Sequence, residues 1–160
     1  MTKYFAGIGS RQTPRSVMDD MTLYASILNN EGYVLNSGGA DGADTAFENG
    51  AGDLKQIFLP WHGFNGREGI VVGNKRGARE IAMEYHPYWD NLTQGGKKLH
   101  TRNVCQILGY DLKTPVEFVI CWTPDGKPSG GTGTAIKIAL DHGIRVFNLK
   151  NEVFPLDILG

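Results

Sequence analysis

The chain has 160 residues, a length that suits one domain spanning 1–160, with a core that needs no disulfide or metal to hold it. Sixteen lysines and arginines against 17 aspartates and glutamates leave a net charge of −1, which weighs against nucleic acid or an anionic membrane as a partner. Glycine is the outlier, at 22 residues, about twice the usual share of roughly 7%. Because 41% of the residues are hydrophobic, the excess belongs in turns of a packed protein rather than in low-complexity sequence.

In chain order, Tyr4 to Gly9 is a short apolar run closing on glycine, the pattern of a buried strand entering a tight turn. Val17, Met21, Tyr24 and Leu28 recur at helical spacing and predict a helix over 15–31, with Pro14 at its start and Gly32 at its end. Tyr33 to Asn36 reads as the next strand, 41–50 as a helix and Gln56 to Pro60 as a third strand. The stretch 61–96 is the least regular, with aromatic loops around Trp61 and Tyr88 and a helix over 74–84. Leu99 to Leu108 predicts a further helix. The β-branched and aromatic run Val116 to Trp122 is the clearest strand. A helix up to about 142 and a last strand, Arg145 to Leu149, complete the chain. Apolar strands alternating with helices, without an internal repeat or linker, predict an α/β class fold: a Rossmann-like, doubly wound, mainly parallel sheet flanked by helices.

Three glycine clusters follow predicted strands: Gly7 with Gly9, Gly38 and Gly39 with Gly42, and Gly130 and Gly131 with Gly133. In a parallel sheet the strand-to-helix turns gather at one edge, where ligands bind. Glycine there lets backbone N–H groups approach, and the following helix N-terminus favours an anion such as phosphate. Tight turn geometry alone explains one such cluster; three point to a ligand. The standard nucleotide motifs are absent, since Gln12 breaks GxGxxG and no GxxxxGK[ST] or GxSxG occurs.

Ser37-Gly-Gly-Ala-Asp-Gly-Ala-Asp44 resembles the SGGAxGAD signature of the YspA-like branch of the SLOG superfamily. Ser129-Gly-Gly-Thr-Gly-Thr134 resembles the PGGxGT motif of the LOG phosphoribohydrolases, and Gly7-Ile-Gly-Ser10 is similar to the first-strand start shared with the DprA family of DNA-processing proteins. The resemblance spans most of the chain and implies a Rossmann-like protein that binds a nucleotide or nucleotide-derived molecule. Some relatives cleave the N-glycosidic bond of a nucleoside monophosphate, some sense signalling nucleotides and some bind DNA. LOG enzymes use an arginine, matched here by Arg102, and a glutamate, whose position holds Lys137; the leading proline is Ser129. The resemblance also implies a homodimer or homotetramer, and the apolar tail from Val153 to Leu159 is consistent with self-association or with packing on its own domain.

Glycosidic cleavage develops positive charge on the sugar, so a carboxylate near the anomeric carbon is the group to find. Asp44 and Glu48, at i and i+4 just past the second glycine turn, are the tentative catalytic candidates beside Arg102. Asp44 could instead cap its own turn, and Glu48 could be a solvated surface charge. The candidate phosphate- and ligand-binding set is Gly9, Ser10, Arg11, Ser37, Gly38, Gly39, Asp41, Gly42, Arg102, Ser129, Gly130, Gly131, Thr132, Gly133 and Thr134. Trp61, Phe64, Tyr88 and Trp89 could stack on a base or form a small core. The four histidines make no ligand set, so no metal site and no cofactor are expected. Cys105 and Cys121 lack CxxC spacing. The N-terminus lacks a signal pattern and no apolar run reaches membrane length, so a reduced, cytoplasmic setting is expected.

Overall fold

The structure, a computed structural model, describes residues 1–159. The described residues form six strands and five α-helices, in the order β1 (Lys3–Gly7), α1 (Arg15–Asn30), β2 (Tyr33–Ser37), α2 (Ala43–Ala51), β3 (Lys55–Leu59), β4 (Ile70–Val71), α3 (Arg76–Tyr85), α4 (Gln94–Leu108), β5 (Phe118–Cys121), α5 (Gly133–Asp141) and β6 (Arg145–Asn148). All strand pairs are parallel, in the order β4-β3-β2-β1-β5-β6. The expected doubly wound α/β sheet is therefore present.

Side-chain alternation on the strands divides the core into two faces. On β5, Phe118 and Ile120 pack with Phe5, Leu35 and Phe147 under α1 and α2, while Val119 and Cys121 join Ala6, Ile8 and Phe58 under α3, α4 and α5. Phe5 sits opposite Phe118 in the β1–β5 register, and their rings stack at 6.0 Å between centroids. A strand covered on both faces reads as a continuous apolar run, which is why β5 stood out in the sequence.

Two elements differ from the sequence expectation. Helix α4 begins at Gln94, five residues before Leu99, because the Thr93 hydroxyl accepts the Gly96 N–H at 3.0 Å and caps a first turn that contains Gly95 and Gly96. Strand β4 is two residues long and adds to β3 at the sheet edge, too short to leave a periodic trace. No described helix is long and apolar enough to cross a membrane.

Candidate functional site

Strand order reverses between β1 and β5, the two strands from which the chain departs in opposite directions. Connections leaving such a pair diverge and open a crevice beyond the carboxyl ends of the strands. Here Ile8 N–H donates to Ile120 O at 3.1 Å and Ser10 N–H to Trp122 O at 3.2 Å, so the two chains stay paired past the formal strand ends before they part. The crevice is a cavity of about 650 Å³, within the range typical of small-molecule sites. Its walls are Gly9 to Gln12 after β1, Thr123 to Asp125 and Ser129 to Thr132 after β5, Ala40 and Asp44 at the start of α2, Phe64, and one side of α4.

Helix α4 contributes Leu99, His100, Arg102, Asn103 and Gln106. Every residue from 101 to 108 is buried, with Val104, Cys105, Ile107 and Leu108 packed in the core. The polar residues thus face the cavity while the apolar ones face the sheet. Arg102 donates from Nε to Asn103 Oδ1 at 2.9 Å and from Nη1 to Gly38 O, and Asn103 Nδ2 donates to Gly131 O at 2.7 Å. This chain of bonds ties the second glycine turn to the third across α4. The Arg102 bonds use two of its five N–H donors, and among the described residues no carboxylate forms an ion pair with it. Burial pushes the guanidinium down from its ordinary pKa, opposed by Asp44. A buried arginine that no carboxylate meets in a direct ion pair is costly unless an anion joins it.

Asp44 is 3% exposed and lines the same cavity. Burial raises its carboxyl to a pKa of about 6, against the lowering effects of Arg102 and of the Ala40 N–H, which donates to Oδ2 at 3.2 Å. His100 is pushed down to about 4 by burial and then by His86 and Arg102; its Nδ1 lies 2.8 Å from the Thr134 hydroxyl. At neutral pH the site therefore combines a buried cation, an ionised carboxylate close to its pKa and a neutral imidazole.

Of the other sequence candidates, Gly9, Ser10, Arg11, Ser129, Gly130, Gly131 and Thr132 line the cavity beside Arg102 and Asp44. Ser37 lies behind it, donating to Gly7 O at 2.6 Å. Gly39 and Asp41 accept from Asn65 Nδ2, each at 3.0 Å, and Gly42 packs on the Arg11 backbone. Gly133 and Thr134 open on a smaller adjoining pocket with His86 and Lys137. Glu48 lies outside the lining, paired with Arg67 at 3.0 Å and Lys55 at 3.9 Å. Asp125 shapes the turn after β5, accepting from the Ser129 hydroxyl at 2.7 Å. Phe64 is the one of the four aromatics in the cavity wall, its ring 5.6 Å from the Arg102 guanidinium and edge-on to Trp61; Trp89 is core.

Sequence reasoning passed over Gln106 and used His100 and Asn103 only as flanks of Arg102. The signal for them was His100, Asn103 and Gln106 recurring at three-residue steps, beside Arg102, on a helix whose second half also carries the apolar Val104, Cys105, Ile107 and Leu108.

The strand order and the crevice at its reversal define a Rossmann-like α/β protein with a cavity at the switch point. Among solved structures this fold is similar to DNA processing protein A from Helicobacter pylori, described for a unique single-stranded DNA binding mode. The two superpose with a TM-score of 0.60 at 18% identity over 91% of this chain and 64% of that one. This chain thus spans less than two thirds of that protein's length, and at this identity the likeness concerns the fold. No protein-family model and no curated protein matches the chain. The comparison corrects the expectation that charge balance weighs against nucleic acid: a protein of this fold binds single-stranded DNA. Net charge averages the whole surface, whereas a strand is held by local groups, and Arg11 and Arg102 here share one cavity.

Proposed function

We propose that the cavity between the β1 and β5 turns binds a nucleotide or nucleotide-derived ligand, as the likeness to SLOG proteins implies. The observation that carries this reading is Arg102, buried at the cavity with free N–H donors and, among the described residues, no carboxylate in a direct ion pair with it, Asp44 acting on it only from beyond that distance. A phosphate or another ligand anion supplies the missing charge. Arg11, Thr132 and the backbone of Gly130 and Gly131 add further donors around it.

Calorimetric titration with nucleoside monophosphates should give saturable binding. Gly38→Ala should weaken it at least tenfold, because the added methyl would collide with Arg102 Nη1 and Gln106 Nε2. Both are ends of flexible side chains that can swing aside, so the loss of stability should be about 1 kcal/mol. Binding of none of these nucleotides overturns the reading. A parallel titration with a short oligothymidylate tests the polymer as the source of the same phosphates; its binding would fall steeply with salt.

A second reading, cleavage of the ligand's N-glycosidic bond, is favoured by Asp44, the buried carboxyl with a pKa raised to about 6. As carboxylate it would take a proton from water attacking the anomeric carbon; the C–N bonding pair leaves with the base, which is protonated in turn. Chromatography of incubated monophosphates should then show free base, abolished in Asp44→Asn with binding retained. Binding without base release identifies a sensor or sequestering protein instead.

A further inference from the structure

The cavity's polar groups divide by depth. Ser10, Arg11, Ser129, Gly130, Gly131 and Thr132 are at least partly exposed at its mouth, whereas Asp44, Arg102 and Gln106 are buried at its floor. Two of the floor groups carry charge. The third, Gln106, is neutral, 2% exposed, and its side-chain amide makes no hydrogen bond to another described residue.

That condition needs an explanation. The Gln106 backbone is fixed, since its carbonyl accepts from Asn36 Nδ2 of β2 at 3.3 Å, and its neighbours Cys105 and Ile107 are core. Neither amide atom is among the fully enclosed side-chain atoms without a partner, so the amide opens on the cavity and gives up packing that an apolar side chain would supply. Leucine or methionine would suit this helix better if packing were the only requirement. In the free cavity, water can satisfy the amide; a ligand that displaces this water must replace its bonds.

The amide presents one donor and one acceptor group side by side, where Arg102 only donates and ionised Asp44 only accepts. A nucleobase edge carries the complementary pair, as glutamine meets adenine through N6 and N7. Phe64, in the wall above Arg102, offers the flat apolar surface that a base stacks on. The phosphate that pairs with Arg102 takes its other donors from Arg11 and the exposed glycine turn at the mouth, which leaves the Gln106 amide to the base. Resting on the nucleotide reading above, we infer that Gln106 is the specificity-determining residue of the cavity: its amide reads the hydrogen-bonding edge of the ligand's base. A base with the wrong edge leaves the amide buried and unpaired, which makes discrimination steep.

The test is a titration of wild type, Gln106→Met and Gln106→Glu with adenosine, guanosine, cytidine and uridine 5′-monophosphates and with ribose 5-phosphate. Wild type should separate the best base from the worst by at least about tenfold. Gln106→Met, near-isosteric and apolar, should fold with unchanged or raised Tm and compress that spread to about twofold, leaving ribose 5-phosphate affinity unchanged. Gln106→Glu, which only accepts when ionised, should reorder the bases. An unchanged ranking in Gln106→Met overturns the inference while the nucleotide reading stands. So does an equal loss for ribose 5-phosphate and every nucleotide, or a wild type indifferent to the base. If wild type binds neither the nucleotides nor ribose phosphate, the inference falls together with that reading.

Discussion

Gly42→Ala is expected to lower stability by about 3 kcal/mol, the largest loss from any single methyl in the glycine turns. Gly42 has φ 82° and ψ −123°, a backbone state that is essentially glycine's own. An added Cβ would lie 2.7 Å from the Arg11 Cα and 2.9 Å from the carbonyl oxygens of Ser10 and Arg11. These are main-chain atoms, held because Ser10 O already accepts from the Thr13 N–H at 3.2 Å and the Thr13 hydroxyl at 2.6 Å. Relief therefore requires the turn after β1 to separate from the start of α2. Conformational strain of about 1–3 kcal/mol and overpacking of similar size combine here, for a fall in Tm of roughly 10 °C. Gly131→Ala is the control: its φ is not in the left-handed region and nothing lies within 4 Å of an added Cβ. It should change stability by less than about 0.5 kcal/mol. Thermal unfolding of both variants decides the matter, and equal losses would contradict the argument. Because Arg11 and Asp44 stand on the two segments that Gly42 joins, its variant should also bind ligand more weakly.

The comparison of these two glycines marks what could be read from the chain alone. That glycines cluster after β1, β2 and β5 is plain in the sequence, and so is the alternation of strand and helix that makes the sheet parallel. Which glycines carry contact and which only turn the chain is not, because the atoms facing Gly42 come from Arg11 and those facing Gly38 from Arg102 and Gln106. The reversal between β1 and β5 depends on strand order, a long-range property to which local periodicity is blind. Asp44 and Glu48 illustrate the same limit. Spacing places both on one side of α2, yet Asp44 lines the cavity while Glu48 pairs with Arg67, a residue in the irregular stretch after β3. The pairing is set by where that loop returns across the sheet edge. Gln106 was hidden for a related reason. Its offset of four from Arg102 is informative only when α4 is known to lie across the crevice, and the glycines in its first turn obscured the length of that helix.

Asp44→Asn should stabilise the protein above about pH 6 and lose that advantage below about pH 4. The Asp44 carboxyl has its pKa raised from 3.8 to about 6, chiefly by burial. Between those values the folded chain keeps a proton that the unfolded chain has released, so stability falls as pH rises through this window. Above it the fold carries the full cost of a buried carboxylate, about 3 kcal/mol. Asparagine is neutral throughout and can still accept the Ala40 N–H, but its amide nitrogen cannot replace the second acceptor used by the Gly38 backbone. The net gain near neutral pH should be about 1–2 kcal/mol. His100 acts in the opposite direction. Its pKa falls from 6.5 to about 4, so the unfolded chain binds more protons between these values and stability rises with pH there. In wild type the two slopes largely offset each other, and the urea midpoint should be nearly flat from about pH 4 to pH 6. Asp44→Asn removes one of them, and the midpoint should climb with pH across the His100 window. Urea denaturation across that range measures both. A variant less stable than wild type at every pH would mean that the carboxylate's bonds to its own turn outweigh its burial. A stabilising substitution would instead mean that the chain keeps a charged oxygen at the cavity floor at the expense of its own stability, as proteins do where a group is held for chemistry or binding rather than for the fold.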